Sequence, residues 1–277
     1  MTPDEYCQQK AAASGSSFYY SFLFLPSERR RAITALYAFC REVDDVVDET
    51  SEMEIAAAKL AWWRAEVANL FAGNPQHPVT KALGVFKDQF SISEKRLNEV
   101  IDGMEMDLTQ TRYLDWPGLE RYCYRVASVV GLLAAGIFGY RDTRTLDYAR
   151  ELGIAFQLTN IIRDVGEDAR KNRIYLPMAE LKQFAVPASD ILNGKQTREF
   201  AELMAFEAQR AREHYEKAMQ ALPAADRKAQ RPGLVMAAIY RTLLDEIERD
   251  GFRVLAQRTS LTPLRKFWIA WRTWVTA

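Results

Sequence analysis

Histidine and cysteine are scarce in this chain of 277 residues, with two and three copies respectively. Neither His77 nor His214 stands three residues after a glutamate, so the ExxH signature of di-iron bundles is absent. No HExxH pattern occurs either. Cys7, Cys40 and Cys123 form no CxxC pair, which argues against a zinc ribbon or disulfide framework and fits a reducing cytoplasm. There is no GxGxxG, and Gly194-Lys195 lacks both the Ser/Thr and the upstream glycine of a P-loop. No nicotinamide cofactor is expected. Excess charge is missing too. The 37 basic residues balance 37 acidic ones, so nucleic acid is not an expected partner, and an anionic ligand needs local cations or a metal. The uncharged, apolar run 126–140 falls short of the ~20 residues a spanning helix needs. The first twenty residues show no basic stretch followed by an apolar one, so no signal peptide is expected.

What is present is apolar material at helical spacing. Hydrophobic residues make up 48% of the chain, enough for a substantial core. After the small, polar run that ends in Ser16-Ser17 come Phe18, Tyr19 and Phe22, then Pro26 and a helix to Asp48, with Ser27 as its expected cap. Further helices are expected over 52–72, 79–89, 93–109, 115–140, 143–165, 196–221, 234–250 and 262–275. Residues 166–177 read as a loop. No segment alternates as a strand. The chain therefore reads as all-α, with about ten helices in one domain spanning 1–277; that length is near the limit for one core.

Two stretches carry chemistry. Tyr37-Ala-Phe-Cys-Arg41-Glu-Val-Asp44-Asp45-Val-Val-Asp48 places Asp44 and Asp48 one helical turn apart, with Arg41 and Tyr37 on the same stripe. Like charges at that spacing repel, so the helix is solvated there or holds a cation. About 120 residues later Asn160, Asp164 and Asp168 repeat the pattern at i, i+4, i+8. A solvated face is the plainer account of one such cluster. Two of them fit a paired magnesium site, because magnesium takes one or two carboxylates together with substrate phosphates. Asp102, Glu105 and Asp107 form a third acidic patch, read here as a polar helix face. Arg41, Arg163, Arg170, Lys171 and Arg173 suit a phosphate-binding rim, and Arg258 and Lys266 are further candidates. Tyr37, Tyr122 and Tyr240 suit either core packing or a cation-stabilising wall. Phe22, Val129, Val130, Leu133 and Ala134, with Phe18 and Tyr19, suit either core or a lipid tunnel.

These residues bring in a family. Tyr37–Asp48, Tyr122-Cys-Tyr-Arg-Val-Ala and Gln157-Leu-Thr-Asn-Ile-Ile-Arg-Asp-Val-Gly-Glu-Asp168 resemble the squalene/phytoene synthases, head-to-head prenyl synthases, over nearly the whole chain. Gly103-Met-Glu-Met-Asp-Leu-Thr-Gln-Thr-Arg-Tyr113 is most similar to the bacterial branch that makes presqualene diphosphate for hopanoids. The resemblance implies an all-α isoprenoid synthase fold with helices around a central cavity. It implies Asp44, Asp48, Asn160, Asp164 and Asp168 as the magnesium site and Tyr122 near the reacting carbons. Ser17, Tyr37, Arg41, Gln157, Arg163, Arg173, Tyr240 and Arg258 would bind substrate. Where some members carry a basic or His residue before that serine, this chain has Ser14-Gly15-Ser16.

The implied reaction joins two farnesyl diphosphates to presqualene diphosphate, with Mg2+ and no nicotinamide cofactor. The proton acceptor stays open between the released diphosphate and a tyrosine. The alternatives are phytoene synthase, with two geranylgeranyl diphosphates, and squalene synthase, with an added NADPH reduction. The small residues Gly131, Ala134, Ala135 and Gly136 are candidates for setting cavity depth. The implied partners are prenyl diphosphates and downstream pathway enzymes. The aromatic, basic segment 262–275 suits either a membrane interface or docking on the core, so the expected location is the cytoplasm or the inner face of its membrane.

Overall fold

The computed structural model describes residues 1–13, 21–22, 24–50 and 52–277, so Ser17, Phe18 and Tyr19 lie outside the described residues. The fold is all-α. The helices are α1 (Pro3–Ala13), α2 (Ser27–Glu49), α3 (Met53–Phe71), α4 (Pro78–Phe86), α5 (Glu94–Thr109), α6 (Trp116–Cys123) and α7 (Val129–Phe138). Then follow α8 (Arg144–Arg170), α9 (Met178–Gln183), α10 (Ala188–Leu192), α11 (Arg198–Ala221), α12 (Arg231–Arg249) and α13 (Pro263–Thr276). The periodicity missed α1 and the short α9 and α10. No strand occurs among the described residues beyond an isolated parallel bridge between Arg112 and Ile174.

Helix starts follow local chemistry. Asp115 accepts a 2.9 Å bond from the Gly118 amide, and Pro117 sits in the first turn of α6. Thr197 caps α11 through the Phe200 amide. Ser27 departs from expectation: it is the first helical residue of α2 and makes no side-chain cap. α12 begins at Arg231, because Pro232 fits the first turn, where its missing N–H costs nothing. α8 runs five residues beyond the expected end at 165, so Glu167 and Asp168 are helical. Asn172 stops the chain just after it with φ 57°, a left-handed conformation that asparagine tolerates.

Two hydrophobic clusters form the core. One joins α1 to α5 with Val129, Leu133 and Ile137 of α7; the other joins α6 and Leu132 and Ala135 of α7 to α8–α13. Between α6 and α7, residues Tyr124–Ser128 form a π-helical turn, so one long helix changes its facing there. Two glycines grip that turn. A Cβ at Gly153 of α8 would sit 2.4 Å from Ser128 Cα, and one at Gly103 of α5 would sit 2.7 Å from Val126 Cγ1. Only glycine permits such approach. The continuous helix 116–138 is long and apolar enough to cross a membrane, but half of its most apolar window is buried between the two clusters. It is a core helix of this fold.

Candidate active site

A cavity of about 830 Å³ opens between the two clusters. This lies in the upper part of the roughly 300–1,000 Å³ range of small-molecule sites. α2 presents Ile33, Leu36, Tyr37, Cys40, Arg41, Asp44 and Asp48 to it, which is one face at helical spacing. α8 presents Tyr148, Leu152, Phe156, Asn160, Asp164 and Asp168. On both helices the inner residues are apolar and the outer ones charged. The sixteen positions from Tyr148 to Asp164 rise about 24 Å, which sets the depth. The π turn and α7 supply Val126, Ala127, Val130, Gly131, Ala134, Ala135 and Phe138 as an apolar wall. Phe22, Val130 and Ala134 thus line the cavity, whereas Val129 and Leu133 pack away from it into the N-terminal cluster. Gly136 also faces elsewhere, toward the Phe90 carbonyl.

The mouth is a ring of paired charges. Arg41 binds Asp44 at 2.7 Å and Asp45 at 2.5 Å, and Lys10 holds Asp45 at 2.8 Å from outside the cavity. Lys171 and Arg173 cross from the end of α8 to Asp48, at 3.1 and 3.8 Å. Asp164 is gripped by Arg163 and, at 2.8 Å, by Arg258, which also reaches Glu167 at 3.3 Å. Asp168 has no ion pair among the described residues; its backbone carbonyl accepts from the Arg173 amide. Burial and the neighbouring Asp164 push its carboxyl up to about 7. Burial, with Asp48 and Asp45 close by, pushes Asp44 up to about 6 despite Arg41. Burial would raise Asp164 too, but Arg163 and Arg258 hold it below the usual range. Tyr37, Gln157, Arg170 and Lys266 complete the lining, and Tyr240 is buried beside Arg163.

The donor set suits a hard cation shared with a ligand. Asn160 turns its amide nitrogen to Gln157, at 3.4 Å, and leaves Oδ1 buried with no hydrogen-bond partner among the described residues. A buried orphan oxygen on a carboxylate stripe is a group waiting for a cation or donor. No group of three or more His, Cys, Asp or Glu side chains is clustered tightly enough to hold a metal among the described residues. The carboxylates come as separated stripes, which is the arrangement magnesium uses when phosphate oxygens and water fill its remaining positions.

One part of the site was read wrongly from sequence. Asp107, assigned to a polar helix face, is buried in the cavity wall. It accepts hydrogen bonds from Tyr122, at 2.9 Å, and Tyr175, at 2.8 Å. Tyr175 stacks on both Tyr113 and Tyr122, and the three ring centroids lie within 6 Å of one another. Tyr175 went unnoticed because residues 166–177 look like loop. In the fold that segment is fixed: the Ile174 amide bonds the Thr111 carbonyl at 3.0 Å, and the Met178 amide that of Tyr113 at 2.8 Å. Burial pushes Asp107 up to about 6 and the Tyr122 hydroxyl well above its ordinary value.

The chain is similar throughout to known proteins with this architecture. Residues 11–265 match the squalene/phytoene synthase family model. A phytoene synthase from Arthrospira platensis is 37% identical over 275 residues, covering 95% of this chain and 89% of that one. A 15-cis-phytoene synthase from Synechococcus elongatus is 35% identical, with 95% and 89% covered. Among solved structures, a dehydrosqualene synthase in complex with ligand superposes with a TM-score of 0.90 at 27% identity, covering 99% of this chain and 96% of that one. The squalene synthase HpnC from Alicyclobacillus acidocaldarius superposes with a TM-score of 0.81 at 28% identity, covering 90% and 94%. An all-α fold around a cavity, two carboxylate stripes at its mouth and a family match over nearly the whole length lead to one conclusion: this chain belongs to the squalene/phytoene synthase family of prenyltransferases.

Proposed function

We propose that this protein condenses two farnesyl diphosphates head to head, releasing one diphosphate and forming presqualene diphosphate. The observation that carries the condensation is the facing of Asp44/Asp48 and Asp164/Asp168 across the mouth of one deep apolar cavity. Asp44, Asp48, Asn160, Asp164 and Asp168 would hold Mg2+. Bound there, the metal would neutralise charge developing on a departing diphosphate. Arg41, Arg163, Arg173, Lys171 and Arg258 already sit at the carboxylates and would bind diphosphate oxygens as the ion pairs rearrange.

The first substrate breaks its C1–O bond, and the diphosphate leaves with the electron pair. The C2=C3 electrons of the second substrate bond to that C1. Loss of a proton then closes the cyclopropane. The apolar wall from Val126 to Phe138 keeps water from quenching the cation. The Tyr122 hydroxyl donates a hydrogen bond to Asp107, and we assign it no base role. Its ring, stacked with Tyr175, instead offers an aromatic face to positive charge. We take the released diphosphate as the proton acceptor, with a cavity tyrosine as the alternative.

Tail length divides the support. The segment 103–113 and the two solved structures above, named for squalene-type products, support farnesyl. The curated relatives, at 35–37% identity, support a second reading, phytoene synthase acting on geranylgeranyl diphosphate, and by sequence identity they weigh more. Product analysis decides. Purified protein with Mg2+ is given each diphosphate separately, with and without NADPH. Presqualene diphosphate from farnesyl diphosphate, unchanged by NADPH, is the expected outcome. Phytoene made exclusively from geranylgeranyl diphosphate would establish the second reading, and no product from either would overturn the condensation itself.

A further inference from the structure

α13 is amphipathic in the wrong sense for a purely structural helix. Its inner face is anchored. Ala270 is buried, Ile269 packs on the C-terminal cluster, and Trp274 stacks 5.3 Å from Phe24 with Arg231 over its ring. Arg265 pairs with Glu246 of α12 at 2.6 Å. Its outer face carries Leu264, Phe267, Trp268, Trp271 and Val275, at i, i+3, i+4, i+7 and i+11, which is a single stripe. These side chains are 83, 48, 57, 44 and 62% exposed. Scattered apolar residues need no explanation, but a continuous aromatic stripe on one helix does.

Two observations identify what the stripe meets. The helix carries no acidic residue; Arg265 is paired with Glu246 and Lys266 lines the cavity, so the cation that flanks the exposed stripe is Arg272. A second copy of this chain would bring like charges face to face, which opposes association. An anionic bilayer complements them, with Trp and Phe at the headgroup level and cations at the lipid phosphates. The helix also starts beside the cavity: Ser260, Leu261 and Lys266 line it, and Leu264 follows Leu261 by three residues in the chain. We infer that α13 docks this protein flat on an anionic membrane surface through Leu264, Phe267, Trp268, Trp271 and Val275, with the cavity mouth held at the lipid boundary. The surface does not depend on which tail length the cavity takes, and its test does not read turnover.

The experiment is co-sedimentation of the full chain with vesicles of phosphatidylcholine alone and with roughly one-third phosphatidylglycerol. The wild type is expected to sediment with the anionic vesicles and to be released by high salt. Trp268→Ser/Trp271→Ser, with an unchanged melting temperature, is expected to bind at least tenfold more weakly. Arg272→Glu, a separate single change on the exposed surface, is expected to weaken binding to anionic vesicles only. Wild type that stays in the supernatant with anionic vesicles would overturn the inference, as would undiminished binding by either folded variant. A concentration-dependent dimer that Trp268→Ser/Trp271→Ser dissolves would assign the stripe to self-association and overturn it equally.

Discussion

The two carboxylate stripes share a spacing and differ in how the protein neutralises them. On α2, Asp44 and Asp45 divide one guanidinium, and Asp48 is met from across the mouth. On α8, Asp164 holds two guanidinia and Asp168, one turn on, holds none among the described residues. Burial therefore raises Asp44 and Asp168 and fails to raise Asp164. The mouth is asymmetric: one corner is neutralised by the fold, and the opposite edges are left for a cation that arrives with ligand. Equal motifs in the sequence thus have unequal roles in the empty site.

The largest effect expected on this contrast is on turnover. Asp164→Asn and Asp168→Asn should each lower kcat by on the order of 10²–10³, since each removes charge from the same electrostatic clamp. Stability should separate them. Asp164→Asn removes the charged acceptor of two guanidinia and should cost about 1–3 kcal/mol. Asp168→Asn removes a repelled carboxylate and should leave the melting temperature level or higher. Near-normal turnover in both variants would dismiss the clamp, and equal melting temperatures would dismiss the asymmetry.

Ligand-induced stabilisation sharpens the same comparison. Mg2+ with inorganic diphosphate at about a hundred times Kd should add ~2.7 kcal/mol. For a chain of this size that is about 5–10 °C by differential scanning fluorimetry. Asn160→Ala should shrink the shift, because it removes the orphan oxygen on the α8 stripe. Asp45→Asn should keep it, because Asp45 is tied to Lys10 outside the cavity. EDTA should abolish the shift and turnover together.

Much of this was legible in the sequence, for physical reasons. Asp44, Asp48, Asn160, Asp164 and Asp168 lie within single helices, where spacing fixes which side chains share a face. Arg41 and Arg163 are local for the same reason. Asp107 and Tyr175 were not legible, because their meeting depends on the pairing of Thr111–Tyr113 with Ile174–Met178, which no periodicity announces. The end of α8 was misjudged because Gly166 reads as a breaker. In the fold it allows close approach instead: a Cβ there would sit 2.5 Å from the Val254 carbonyl. The facing of α7 was half legible, since the π turn shifts its register and sends Val129 and Leu133 away from the cavity.

The smallest effect expected concerns the same contrast away from the site. Glu66 is buried in the N-terminal half and accepts from the Gln76 and His77 amides, both at 2.7 Å, and from Thr80 Oγ1 at 2.5 Å. Burial would raise its pKa, but these donors hold it below the ordinary carboxylate range. Glu207 is buried in the C-terminal half, with Oε1 unpartnered among the described residues, and burial beside Glu180 drives it well above the ordinary carboxylate range. Glu66 is thus held as an anion, whereas Glu207 is pushed toward the acid form against the pull of Arg210. Glu66→Gln should cost about 1–3 kcal/mol in urea denaturation at neutral pH. A depressed folded pKa contributes stability that is present above the unfolded value and lost as pH falls through the folded one. Wild type and Glu66→Gln should therefore converge in acid. With Glu207 protonated, Glu207→Gln exchanges one neutral group for another and should change stability by less than about 1 kcal/mol at neutral pH. A loss as large as that of Glu66→Gln would mean that Glu207 is ionised and that Arg210, 2.7 Å away, neutralises it as Arg258 does Asp164.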